Sequence, residues 1–183
     1  MVYPLLYAEA MNPFENINIE NLDLPEGFTY VGLSGTDLHD LKAFAKLLKD
    51  KNSTVIMYEY DPTDAFNGIS VSKVQYVKNF ENTTKELGIN ANIVLDDIFF
   101  MNQEPDILVL DTCSITSLYK FKTRYKNSNL SSKYLITNCT WRHTKAGERL
   151  ALFLNPEYKL VQRIVYPARG SLRGPRYLEL WEK

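Results

Sequence analysis

Val55-Ile56-Met57-Tyr58-Glu59 is an apolar run closed by a carboxylate, and the pattern recurs at Ile93-Val94-Leu95-Asp96-Asp97 and Ile107-Leu108-Val109-Leu110-Asp111. Each run reads as a buried strand, because a strand covered on both faces is apolar at consecutive positions. An acid at the C-terminal end of such a strand sits where open α/β sheets bind ligands. Three in order, with helix-like segments between them, point to a sheet edge that holds a polyhydroxylated or cationic small molecule.

Working outward, Thr29 to Leu33 is a short strand candidate followed by Ser34-Gly35-Thr36. Leu38, Leu41, Phe44, Ala45 and Leu48 then recur at helical spacing, with Asp37 placed to cap that helix. Asp61-Pro62 ends the strand at 55–59, and residues 63–87 are mostly helical, with Val74, Val77, Phe80 and Leu87 on one face and Gly88 as the C-terminal cap. Residues 115–126 and 146–154 read as helices and Lys133 to Thr137 as a strand. Leu160 to Tyr166 and Arg176 to Trp181 alternate around a Gly/Pro/Arg loop, the pattern of a closing β-hairpin. The order predicts an α/β, Rossmann-like, mostly parallel sheet with helices on both faces and a C-terminal antiparallel hairpin. Residues 1–27 lack periodicity and read as an irregular segment or lid ahead of a single domain over 28–183.

The chain of 183 residues is 45% hydrophobic, enough for one real core. No run approaches the roughly 18 apolar residues of a membrane span. Met1 to Ala10 carries Glu9 and no basic residue, which is not the make-up of a secretory signal. Two cysteines without framework spacing imply reduced thiols and a cytoplasmic setting. The net charge of −1 hides a polarity. Residues 1–41 hold seven acids and no Lys or Arg, whereas residues 114–183 hold fourteen Lys or Arg against four Glu. The basic end either meets an anionic partner or packs under the acidic start.

On these residues the chain resembles the class I S-adenosylmethionine-dependent methyltransferases over about 28–183. The resemblance rests on Gly32 and Gly35 after the first strand, Glu59 after the second, Asp97 after the third and Asp111 after the fourth, with a terminal hairpin. It implies that Gly32 and Gly35 flank the methionine part of S-adenosylmethionine, Glu59 takes the ribose hydroxyls, Asp97 contacts the adenine, and Asp111 opens the catalytic loop. The glycine segment, Tyr30-Val31-Gly32-Leu33-Ser34-Gly35-Thr36-Asp37, departs from the family's acid followed by Gly-x-Gly-x-Gly.

Asp111-Thr112-Cys113-Ser114 and Thr137-Asn138-Cys139-Thr140 look similar to the two cysteine motifs of the RNA 5-methylcytosine methyltransferases. That resemblance implies that Cys139 attacks the base, Cys113 assists release and Asp111 holds the base. A thiolate suits such an attack, but both cysteines also fit as small buried hydrophobes. His143, in Trp141-Arg142-His143, is a candidate general base. With Cys113 and Cys139 it does not complete a four-ligand zinc set, so no metal is expected. Arg163, Arg169, Arg173 and Arg176 cluster on the hairpin near Tyr166 and Tyr177, a footprint suited to phosphates and bases. The expected function is therefore methyl transfer to nucleic acid, RNA favoured. The alternatives are a non-catalytic Rossmann-like module that binds RNA or protein, and an ATP-using enzyme with Ser34-Gly35-Thr36 as its phosphate loop.

Overall fold

The computed structural model describes residues 12–33, 38–58, 73–94, 104–110, 132–140, 156–167 and 175–183. Seven strands form one sheet in the order β3-β2-β1-β4-β5-β7-β6. They are β1 (Thr29–Leu33), β2 (Thr54–Tyr58), β3 (Ala91–Val94), β4 (Ile107–Leu110), β5 (Tyr134–Thr140), β6 (Lys159–Pro167) and β7 (Pro175–Glu182). β1 to β5 are parallel, and β7 lies antiparallel between β5 and β6. The mostly parallel sheet and its closing hairpin match the sequence expectation.

Burial explains the strand compositions. β4 is buried at every position and β1 at all but its first, so neither shows alternation. β6 is the sheet edge and alternates between exposed and half-buried positions. β5 runs three residues past the expected Thr137, because β7 supplies partners as far as Thr140 ↔ Arg176.

Helix α1 (His39–Asp50) turns Leu41, Phe44 and Leu48 into the core. Its N-cap is Leu38, with φ 51° and ψ 39° and no side-chain cap, where a cap by Asp37 was expected. Leu38 is itself buried in the core, which fixes the turn on an apolar contact. Helix α2 (Lys73–Leu87) buries Tyr76 and Phe80 and stops at Gly88, whose φ of 67° suits a residue without a Cβ. Both helices pack on one sheet face, over Tyr30, Met57 and Val109. Right-handed crossovers from β1 to β2 and from β2 to β3 put them there. On the opposite face Val31, Leu108, Leu110, Leu135 and Trp181 are buried as well. The expected helices over 115–126 and 146–154 lie outside the described residues.

Residues 12–27 carry one short 3-10 turn, Pro13–Asn16, and are otherwise irregular. Their apolar side chains Phe14, Ile17, Ile19 and Leu24 are buried in the same core as the sheet. The acidic start also meets the basic end of the chain: Lys133 Nζ lies 2.8 Å from Asp23 Oδ2. The ammonium holds the Asp23 carboxyl below its ordinary range, and the carboxylate raises Lys133 in return. Further along, Asn18 and Gln162 exchange hydrogen bonds, backbone N–H to Oε1 at 2.9 Å and Nε2 to carbonyl at 3.0 Å. This amide clamp sits on the edge strand, whose open backbone groups otherwise invite pairing.

Candidate cofactor site

β1 is the strand at which the order reverses, with β2 on one side and β4 on the other. In open α/β sheets the ligand crevice lies at the carboxyl ends of the strands beside such a reversal. Here those ends are level. Leu33 pairs with Tyr58 and with Leu110, and Tyr58 pairs with Val94. Neighbouring strands are about 4.8 Å apart, so the ends of β2 and β4 straddle β1 at about 10 Å.

Glu59 follows Tyr58 in the sequence, Asp111 follows Leu110, and Asp97 is the third residue after Val94. These acids, together with Gly35, Cys113 and His143, lie outside the described residues. Gly32 is described and stands within β1, one residue before its end. A Cβ there would meet Met57 Cε at 2.8 Å and Sδ at 2.9 Å, so the neighbouring strand's side chain fills the space that glycine leaves. The backbone of Cys139 lies inside β5, paired with Tyr177, rather than after the strand.

Two polar groups at this edge escaped the sequence reading. Asp40, in the first turn of α1, is fully buried, and its Oδ2 accepts from the Tyr30 hydroxyl at 2.6 Å. That oxygen is 3.5 Å from the position of a Cβ on Gly32. Asp40 looked like a polar residue beside the apolar stripe, and only the tertiary fold puts it under β1. Asn138 is the second: it lies one residue past the last β4–β5 pair, Leu110 ↔ Thr137, and is 3% exposed. Its Oδ1 accepts from the Tyr166 hydroxyl at 2.7 Å. A buried amide within an apolar strand needs such partners, because burying it without them is costly.

The arginine cluster divides. Arg163 Nη2 is 3.3 Å from Oε2 of the buried Glu179, and the guanidinium lies over the Tyr177 ring at 5.8 Å. Arg176 sits on β7, paired in register with Thr140 at the end of β5. Arg169 and Arg173 lie outside the described residues. No helix among the described residues is long and apolar enough to cross a membrane.

No protein-family model matches the sequence, and no curated protein matches it. Solved structures do match. The chain is similar to precorrin-6y C5,15-methyltransferase from Geobacter metallireducens GS-15, with a TM-score of 0.58 and 12% identity, covering 100% of this chain and 92% of that one. It is similar to an rRNA methylase from Streptococcus thermophilus, with a TM-score of 0.53 and 15% identity over 100% of this chain and 98% of that one. It is also similar to magnesium protoporphyrin IX methyltransferase from Synechocystis PCC 6803, solved with bound SAM, with a TM-score of 0.58 and 11% identity over 98% and 79%. At such identities the likeness is one of architecture, and the chain has the fold of the class I S-adenosylmethionine-dependent methyltransferases.

Proposed function

We propose that the chain is an S-adenosylmethionine-dependent methyltransferase that acts on nucleic acid, RNA in preference, in the cytoplasm. One observation carries this: β2 and β4 end level on either side of the reversal strand β1, and the next residue of each is a carboxylate, Glu59 and Asp111. The fold shared with methyltransferases of known structure supports it. The basic end of the chain, and the rRNA methylase among the similar structures, support RNA as acceptor.

The residues fit the cofactor chemically. One carboxylate can accept from both hydroxyls of a ribose, the role proposed for Glu59. Asp97 would accept from the adenine amino group, and Gly32 and Gly35 would flank the methionine part. When bound, the cofactor supplies a methyl group on a positively charged sulfur. Asp111 orients the acceptor, and His143 takes its proton. Holding the acceptor in line provides most of the rate. Cys139 and Cys113 are reserved for a cytosine acceptor, with Cys139 as nucleophile and Cys113 assisting release. Arg169, Arg173 and Arg176 carry the phosphate contacts, beside Arg163. The unit proposed to do this is the domain over 28–183, with Phe14, Ile17, Ile19 and Leu24 of the preceding segment packed into its core.

Thermal unfolding with S-adenosylhomocysteine tests the reading. The wild-type melting temperature rises with ligand, and Glu59→Ala abolishes the rise. No shift of the intact protein at saturating ligand overturns it. Loss of RNA binding as salt increases tests the acceptor class. Methylation that survives Cys139→Ser removes the cytosine route.

A further inference from the structure

Helix α1 turns one sign of charge outward along most of its length. Its exposed positions are His39, Lys42, Lys46, Lys49 and Asp50. Lys42, Lys46 and Lys49 follow one another at i, i+4 and i+7, so they share one side of the helix over about 10 Å. Like charges at this spacing weaken a helix, and a cation at Lys42, in the first turn, opposes the dipole. The exposed side of α2 shows the usual mixture, with Lys78 and Lys85 interleaved with Glu81 and Glu86.

Acids lie close enough in the fold to have neutralised α1. The irregular segment ahead of β1 packs on this helix through Phe14 and Phe44, and it carries Glu15, Glu20, Asp23 and Glu26. Asp23 pairs instead with Lys133, and Glu26 accepts from Asn52 Nδ2 at 2.7 Å. Lys51, just past α1, donates to the Leu24 carbonyl at 2.7 Å. Among the described residues the ammoniums of Lys42, Lys46 and Lys49 make no ion pair or hydrogen bond. Lys49 Nζ stands 3.5 Å from the position of a Cβ on Gly88, at the end of α2, where a cation suits that helix's dipole. Lys42 and Lys46 have no such neighbour. The helix sets out from the carboxyl rim of the sheet, the same rim at which Thr140 ↔ Arg176 holds the basic hairpin.

We propose that the outer side of α1 binds the phosphate backbone of RNA, with Lys42 and Lys46 as the main contacts and Lys49 at the far end. The proposal rests on RNA being the acceptor and adds a second surface to that of the hairpin. A strand crossing the rim continues along α1, whose 10 Å or so accommodates about three phosphates of a helical strand. Lysine meets phosphate as a point charge, so these contacts position the RNA and read no sequence. A membrane is the poorer match, because no exposed position of α1 is apolar and nothing on that side can enter lipid.

Fluorescence anisotropy of a labelled single-stranded RNA of mixed sequence, titrated without cofactor at several KCl concentrations, tests this. The triple variant Lys42→Gln/Lys46→Gln/Lys49→Gln keeps good helix formers and removes the charges. It is expected to bind about tenfold more weakly at low salt, and its slope of log affinity against log salt is expected to be shallower by about 2. The corresponding triple change to Arg keeps the charges and binds within about threefold of wild type. Lys78→Gln/Lys85→Gln, on α2, also stays within about threefold. An unchanged affinity and slope in the Gln triple overturn the proposal and leave the RNA reading standing. An equal loss in the α2 variant makes the effect one of net charge and also overturns it, as does a loss in the Arg triple as large as that in the Gln triple. Wild-type binding to phosphatidylserine vesicles that the Gln triple loses, with RNA binding unaltered, assigns the surface to a membrane instead. A wild type that binds no RNA refutes the acceptor reading itself, and this inference falls with it.

Discussion

The Tyr166 hydroxyl reaches from the edge strand across β7 and donates to Asn138 Oδ1 at 2.7 Å, joining two strands that do not touch in the sheet. Asn138 pairs with Leu178 and Leu178 with Ile164, so Tyr166 leans back over the sheet by one same-face step. The bond ties the closing hairpin to the end of β5, beside the carboxyl end of β4. The hairpin is thereby held to β5 by a side chain as well as by the β5–β7 ladder.

Tyr166→Phe keeps the ring and removes that bond. Unfolding in urea is expected to show a loss of about 1 kcal/mol, the ordinary worth of one such hydrogen bond. The bond lies on the β5 side, away from β2, so affinity for S-adenosylhomocysteine stays at the wild-type value. Under the proposed function, methyl incorporation into RNA falls. A drop in cofactor affinity equal to the drop in incorporation would refute this division of the crevice.

Gly32 and Met57 share one space. A Cβ at Gly32 would stand 2.8 Å from Met57 Cε, closer than atoms pack, and the methionine must swing away. Gly32→Ala is expected to cost about 1–3 kcal/mol by overpacking. Met57→Ala alone costs about 2–5 kcal/mol by leaving a cavity, since Met57 is fully buried. The double variant is more stable than the sum of the two predicts, by at least about 0.5 kcal/mol, because the new methyl occupies part of the vacated space. Strict additivity in denaturant unfolding would show that the two sites do not meet.

Much of this architecture was legible in the sequence, and the reasons differ by element. β4 is buried on both faces and so appears as an uninterrupted apolar run, and β1 and β2 are buried at most positions and are mostly apolar. The helix after Leu38 shows its face at Leu41, Phe44 and Leu48, and Gly88 marks the end of α2. The hairpin shows itself by alternation around its Gly/Pro/Arg loop, while its register, with Tyr166 opposite Arg176 and Arg163 opposite Glu179, comes from the structure. Other features follow only from tertiary contact. Phe14, Ile17, Ile19 and Leu24 are core residues of an irregular segment that has no period to detect. The length of β5 is set by β7, its distant partner. The Tyr30–Asp40 pair joins a strand to a helix through a turn whose geometry no local pattern encodes. For the site, the sequence marked which strand ends carry acids, and the register aligns the strands those acids follow. The side chains of Glu59, Asp97 and Asp111 lie outside the described residues, so their convergence is a proposal.

Arg163 and Glu179 are unequal partners, one a third exposed and the other buried. Removing the guanidinium takes from a buried carboxylate one of the partners that offset its lost hydration. Arg163→Ala is expected to destabilise by about 1–3 kcal/mol, and adding Glu179→Gln to recover part of that loss. Guanidine unfolding of the three variants measures it. If the double variant is less stable than Arg163→Ala, the buried charge is compensated elsewhere.

Tyr158 gives the chain an alkaline-sensitive anchor. Its ring is buried, and its hydroxyl donates to the Ser132 carbonyl, while the Ser132 hydroxyl lies 2.8 Å from the phenol oxygen. Burial pushes the phenol above its ordinary range, against the smaller opposing pull of the Ser132 hydrogen bond. The folded protein thus keeps this proton to a higher pH than the unfolded chain. Where the unfolded chain has lost the proton and the folded one has not, stability falls as pH rises, beginning near the ordinary tyrosine value of about 10. Below that value both states are protonated and the contribution is constant. Tyr158→Phe is expected to be less stable than wild type by about 1 kcal/mol at pH 8. The gap narrows by pH 10.5, because the variant has no phenol to titrate. Urea unfolding of both proteins at the two pH values isolates the residue, since every other tyrosine and lysine contributes equally to each. A gap that is constant with pH would mean that Tyr158 ionises alike in the folded and unfolded states.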